Sequence, residues 1–220
     1  LSSLTSTFGG FSDINNDGVV VALITSQVNK LSSGGGIVTG FFWSGDLVSG
    51  YNNMEIIYLV APDSAGVYGP KVSNSFAMSN FLPGVFFHET QHLINYYQHV
   101  VVKGGTSEKA WLNEGLSHLA EDLIGYNLEN YSRYDLYLAA PHNNSITPSG
   151  SPSLAQRGGI YLMLRYLYEQ SGNSSSFVGR LVQTSDTGAT NVVNAYAGTD
   201  SAFNEWGEFL KYWAVALAYT

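Results

Sequence analysis

Phe86-Phe87-His88-Glu89-Thr90-Gln91-His92 is the one stretch of this 220-residue chain that reads H-E-x-x-H, and it lies inside an apolar run of helical character. On a helix, His88 and His92 fall four residues apart on one face, so both imidazoles can reach a single metal ion. Glu89 is turned about 100° from His88, where it can reach a water on that metal. Zinc is the natural occupant of such a pair.

Trp111-Leu112-Asn113-Glu114-Gly115-Leu116-Ser117-His118 opens a second apolar-periodic segment after a Gly-Gly-Thr-Ser loop. Glu114 is the candidate third ligand. Three protein ligands that leave one position open for water are the usual composition of a catalytic zinc site. The three-histidine alternative requires Gly at position 95 and His at position 98, which here are Asn95 and Gln98. His99 lies two turns beyond His92, roughly 10 Å along the helix axis, and is a poor ligand candidate.

H-E-x-x-H followed about two dozen residues later by Glu114 within Trp-Leu-Asn-Glu-Gly resembles the gluzincin metallopeptidases. A narrower resemblance is to the hyicolysin-like family of bacterial secreted metallopeptidases. It rests on the Asp/Asn/Gly-rich turn before a strand, Val28-Asn29-Lys30-Leu31, the segment Gly40 to Leu47, and the two motifs continued as His92-Leu93-Ile94-Asn95 and Glu114-Gly115-Leu116-Ser117. The resemblance implies a secreted or cell-surface zinc endopeptidase of α+β class and thermolysin-like architecture. In that architecture a mixed sheet precedes the H-E-x-x-H helix, and an edge strand, here near Ile37–Trp43 or Glu55–Ala61, takes extended peptide as a further strand.

Two departures from the resemblance carry consequences. Thermolysin-like enzymes place an Asp four residues after the glutamate ligand to orient a zinc histidine, and His118 stands there instead; Glu121 and Asp122 are the substitute carboxylates. The residue that steadies the oxyanion is fixed by no motif. Tyr161 and Arg157, beside Gly158-Gly159, are candidates, with His142 in the polar Pro141–Pro152 loop as the third.

The rest of the composition narrows the function. Net charge is −8 and only nine Lys and Arg are present, which argues against a nucleic-acid groove. No apolar run approaches the ~20 residues needed to insert across a bilayer. Cysteine is absent, so no thiolate metal site or disulfide framework exists. The chain is expected to be a monomer acting on peptide or protein, and to be a mature or excised catalytic domain. Its expected organisation is an α/β part over 1–125 and a helical part over 126–220, joined as one catalytic domain.

In chain order, Asp13-Ile14-Asn15-Asn16-Asp17-Gly18 matches the opening of a calcium loop. Its position 12 would be Ile24 rather than an acid, so a turn feeding a strand is the favoured reading. Strands are expected at Val19–Thr25 (buried), Ile37–Trp43 and Glu55–Ala61, with a flexible loop at Ser32–Gly36. Helices are expected to begin within Lys71–Ala77, to run from Pro83 to Val102, and to run from Lys109 to Ile124 behind a Ser107-Glu108 cap. Further helices are expected at Leu154–Glu169, Ser175–Thr184, Thr190–Ala197 and Ser201–Ala218. Other readings remain open: a zinc amidase or esterase on a non-peptide acyl group, or a binding or adhesion module with a structural metal. Ser75-Phe76-Ala77-Met78-Ser79-Asn80 lacks the carboxylate that an aminopeptidase uses to anchor a free amine, which favours endopeptidase action.

Overall fold

The computed structural model describes residues 1–32, 36–197, 199 and 203–219, so residues 33–35 of the expected Ser32–Gly36 loop and residues 201 and 202 of the expected last helix lie outside it. Along the chain come α1 (Ser2–Phe8), β1 (Val20–Thr25), α2 (Ser26–Lys30), β2 (Gly40–Phe42), β3 (Glu55–Val60), α3 (Asn74–Phe76) and α4 (Leu82–Tyr96). They are followed by α5 (Ala110–Leu123), α6 (Leu128–Leu138), α7 (Leu154–Gln170), α8 (Ser175–Val182), α9 (Gly188–Tyr196) and α10 (Trp206–Ala218). The class is α+β with a small mixed sheet.

Sheet order is β1-β3-β2, with β1 parallel and β2 antiparallel to β3. β3 is an almost continuous apolar run with Ile56, Ile57, Leu59 and Val60 all buried, as befits a strand paired on both sides. That excludes Glu55–Ala61 as a peptide-binding edge. Val19–Thr25, expected to be buried, is instead an edge strand with Leu23 and Ile24 42% and 45% exposed. The expected Ile37–Trp43 strand contracts to β2. At Gly40 the chain runs so close to its neighbours that a Cβ would stand 2.7 Å from both Tyr58 O and Val85 Cγ1.

The H-E-x-x-H helix is longer than its α-helical core. α3, a π-helical turn (Ala77–Phe81), α4 and a second π-helical turn (Tyr97–Val102) run on from one another. Pro83 has no N–H and its ring crowds the carbonyl four residues back, so a widened π register just before it is a natural accommodation. Ser107-Glu108 does not cap α5, which starts at Ala110 behind Lys109 with no side-chain cap. Glu108 instead accepts from the N–H of Lys109 and Gly188 and from Asn191 Nδ2, tying the start of α5 to α9. Gly125, at φ 84°, lies just beyond the C-terminal end of α5 as expected.

Two apolar cores flank α4. Leu93 points into the sheet core with Val28, Ile57 and Leu59, and the adjacent Ile94 points into the helical core with Leu112, Leu116, Ile160 and Phe177. The cores do not follow chain order, because Leu4 and Phe8 of α1 belong to the helical one. α1 and α6 were not anticipated. α6 has an apolar face but carries Tyr131, Ser132, Arg133, Tyr134 and Asp135, which weaken its periodicity.

α6 and α7 meet almost backbone to backbone. A Cβ on Gly158 would stand 2.1 Å from Arg133 O, and one on Gly159 would stand 2.4 Å from the Tyr137 ring. Those glycines clear the space that α6 occupies. Gly158→Ala should therefore lower stability by about 1–3 kcal/mol in denaturant unfolding. Gly207→Ala on α10, where nothing lies within 4 Å, should leave it unchanged or slightly raised.

Candidate metal centre

α4 and α5 pack side by side and bring the two motifs together. His88 Nε2 lies 3.4 Å from Glu114 Oε2, and His92 Nε2 lies 3.9 Å from Glu114 Oε1. Ligand atoms on a tetrahedral zinc with bonds of about 2.1 Å are roughly 3.4 Å apart, so Glu114 stands at that spacing from His88 and, through its other oxygen, somewhat wider from His92. The donor set fits a divalent metal.

The far nitrogen of His88 is held from behind. His88 Nδ1 donates to Glu121 Oε1 at 2.6 Å. His92 Nδ1 lies 3.1 Å from Ser117 Oγ, whose own proton goes to Gln91 Oε1 at 2.8 Å. Ser117 Oγ also lies 3.5 Å from His92 Nε2, so the hydroxyl sits beside the ring between its two nitrogens. Both rings turn Nε2 toward Glu114, and His88 has on its other nitrogen the partner that a metal-binding histidine normally has. Glu121, two turns beyond Glu114, is the carboxylate that accepts from His88, where position 118 holds a histidine. Asp122 does not, since its oxygens accept from Asn127 and Arg165.

His118 is fully buried and donates to the same Glu121 oxygen at 3.2 Å, its ring 4.7 Å from that of His88. Among the described residues, two groups bring potential ligand atoms within 4.8 Å of one another: His88, His118 and Glu121, and His88, Glu89 and His92. A buried His/Glu cluster able to hold a metal ion is therefore present. Within the first group the 2.6 Å contact is a hydrogen bond, shorter than the spacing of two ligands on one zinc.

Charge explains why these groups can be buried. Desolvation by itself would strip His88 of its proton, but hydrogen bonds to Glu114 and Glu121, with the charges of Glu121 and Glu89, raise it to about 10. Burial would likewise raise Glu114, yet His88, His92 and Arg157 hold it well below the usual carboxylate range. Glu121 is held low against burial by His118 and His88. His118 is pushed down to about 4, mainly by burial, and stays neutral.

Of the remaining candidates, Glu89 lies in the same cleft of about 420 Å³, its Oε2 accepting from the Phe42 N–H of β2 at 3.1 Å. Arg157 lies there too, with Nη1 2.7 Å from Glu114 Oε2. Arg133, which the sequence did not single out, lines the cleft as well. Tyr161 does not. It faces Asp122, and burial together with that carboxylate pushes its phenol up, so it stays a protonated donor there. His142 is exposed in its loop and lines no part of the cleft. His99 is fully buried against Leu181 O, away from Glu114. A scan against protein-family models finds no match, and neither does a search of curated proteins.

Two measurements probe the cluster. Glu121→Gln should weaken the binding of a divalent metal by about 10- to 100-fold in a chelator competition titration. Because His88 is protonated below about 10 in the metal-free site, a cation that takes its Nε2 must displace a proton. Affinity should then rise about tenfold per pH unit near neutrality, and calorimetry in buffers of different ionisation enthalpy should find about one proton released.

Proposed function

We propose that the chain is a zinc-dependent endopeptidase of the gluzincin kind, similar to the hyicolysin-like bacterial secreted metallopeptidases and built on a thermolysin-like plan. The observation that carries this reading is the convergence of His88, His92 and Glu114 with Glu89 in one cleft. A structural metal would need no such glutamate beside an open cleft. Secretion and a monomeric state belong to the same proposal and rest on the resemblance. Among the described residues no helix is long and apolar enough to cross a membrane.

Zinc held by His88, His92 and Glu114 would supply a Lewis acid that acidifies water toward a pKa of ~7 and polarises the scissile carbonyl. Glu89 takes the proton from the attacking water and returns it to the leaving amine. The Phe42 N–H keeps that carboxylate turned to the cleft. β2 is a sheet edge lining the cleft, so an extended peptide laid along it gains backbone hydrogen bonds without strict sequence demands. Arg157 offers its guanidinium to the developing oxyanion once Glu114 is committed elsewhere. A wider cleft continues from there past Phe76, Phe81 and Leu154, with room for substrate side chains.

The test is cleavage of an unfolded protein by wild type and by Glu89→Gln, with zinc measured in the same samples. The variant should retain zinc and lose turnover by about 10³-fold. Loss of zinc would make Glu89 a ligand. Zinc-loaded wild type without cleavage would turn the proposal toward a non-peptide acyl substrate.

A further inference from the structure

A turn with the oxygen pattern of a calcium loop meets the sheet near the N-terminus, away from His88, His92 and Glu114. Asp13-Ile14-Asn15-Asn16-Asp17-Gly18 carries oxygen side chains at the first, third and fifth positions of a calcium loop and Gly at the sixth. Such a loop needs a further carboxylate, ordinarily its twelfth residue. That residue is Ile24, carried away along β1 and 45% exposed.

The fold brings a replacement from another strand. In the parallel pairing of β1 and β3, Val20 lies opposite Glu55, which sets Glu55 beside the turn. Glu55 is 0% exposed. Its Oε1 accepts from the N–H of Ile14, inside the loop, while its Oε2 has no partner. Among the described residues no Lys, Arg or His forms an ion pair with Glu55, Asp13 or Asp17. A carboxylate withdrawn from water with one oxygen bare and no cation against it is costly. The loop is shaped around its first residue, since Asp13 Oδ1 accepts from the N–H of Asp17 and Gly18.

We propose that Asp13, Asn15, Asp17 and the backbone carbonyl of Val19, closed by Glu55 from the neighbouring strand, bind one calcium ion. Oxygen donors alone, three of them carboxylates, and a backbone carbonyl suit calcium better than the smaller magnesium with its rigid octahedron. Binding requires Asp17 Oδ2 to exchange its 2.7 Å bond with Asn15 Nδ2 for the cation, and the carboxylates of Asp13, Asp17 and Glu55, whose oxygens do not all lie within 4.8 Å of one another, to close on it. Its consequence is mechanical. The ion ties the turn that opens β1 to the first residue of β3, the strand on which β2 and the cleft wall are aligned.

The experiment is calcium titration of the full chain in calcium-free buffer by calorimetry, paired with thermal unfolding and a magnesium control. Wild type should bind one calcium with a Kd of about 10 μM to 1 mM. Its Tm should rise by roughly 5–10 °C at a hundredfold excess over Kd. Glu55→Gln should abolish that rise while keeping a calcium-free Tm at or above wild type, because its buried charge is gone. If Glu55→Gln fails to fold, Asp17→Asn serves in its place and should weaken binding at least tenfold. Absence of any calcium-dependent heat or Tm shift in wild type overturns the proposal. So does calcium binding by Glu55→Gln, or in its place Asp17→Asn, as tight as wild type.

Discussion

The His88 imidazole bridges two carboxylates that lie two turns apart on α5, with Nε2 toward Glu114 and Nδ1 on Glu121. Neither acid would tolerate burial alone, since an isolated carboxylate in a protein interior is neutralised or expelled. Each is kept ionised by the ring between them, and the ring is kept protonated by both. This arrangement requires α4 and α5 to hold a fixed axial register, and the helices achieve it with apolar contacts on either side: Leu93 in the sheet core, and Ile94, Leu112 and Leu116 in the helical core. The polar cluster is thus set between two greasy faces, and the orientation of the imidazoles toward Glu114 follows from packing.

How far this was legible varies with the range of the interaction involved. His88, His92, Glu89 and Glu114 could be read directly because helical spacing is a local property, and α5 follows α4 after a short connection. Glu121 could be narrowed to one of two neighbours, and the choice between them is a matter of helix phase. Seven residues after Glu114 lies close to two full turns, so Glu121 shares its face, while Asp122 is rotated onward to Arg165 and Asn127. Tyr161 and His142 could not be placed because their positions depend on how α6 and α7 pack and on a loop with no periodicity. Gly158 and Gly159 did signal a close approach, but a sequence does not say to what, and the partner proved to be α6.

The sheet was misjudged in a related way. Val20–Thr25 is as apolar as β3, and apolarity suggested burial, but strand order decides which of two similar runs is central. Short strands carry little register information of their own. β2 has only three residues, one of them the Gly40 that the contact with Tyr58 and Val85 demands. That economy leaves its outer edge facing the histidines, and the Phe42 N–H is spent on Glu89 rather than on another strand. The edge strand is therefore fastened to the centre it serves, so a shift of the sheet would move Glu89 with it.

Arg157 closes the electrostatic account of the cleft. The protein is acidic, with a net charge of −8, yet the cleft walls hold Arg133 and Arg157 against Glu89, Glu114 and Glu121. With His88 protonated, these opposing charges balance. On the proposed reading a divalent cation replaces one proton, and the same walls then carry net positive charge. Arg157, paired with Glu114 when no cation competes for that carboxylate, is left with less of its negative charge to face. On that reading the positive excess would stand beside a substrate carbonyl whose oxygen gains charge during attack, where a preorganised field stabilises the transition state most effectively. The ion pair that neutralises Glu114 in the metal-free cleft and the donor suited to an oxyanion are then two states of one side chain, selected by the occupancy of Glu114.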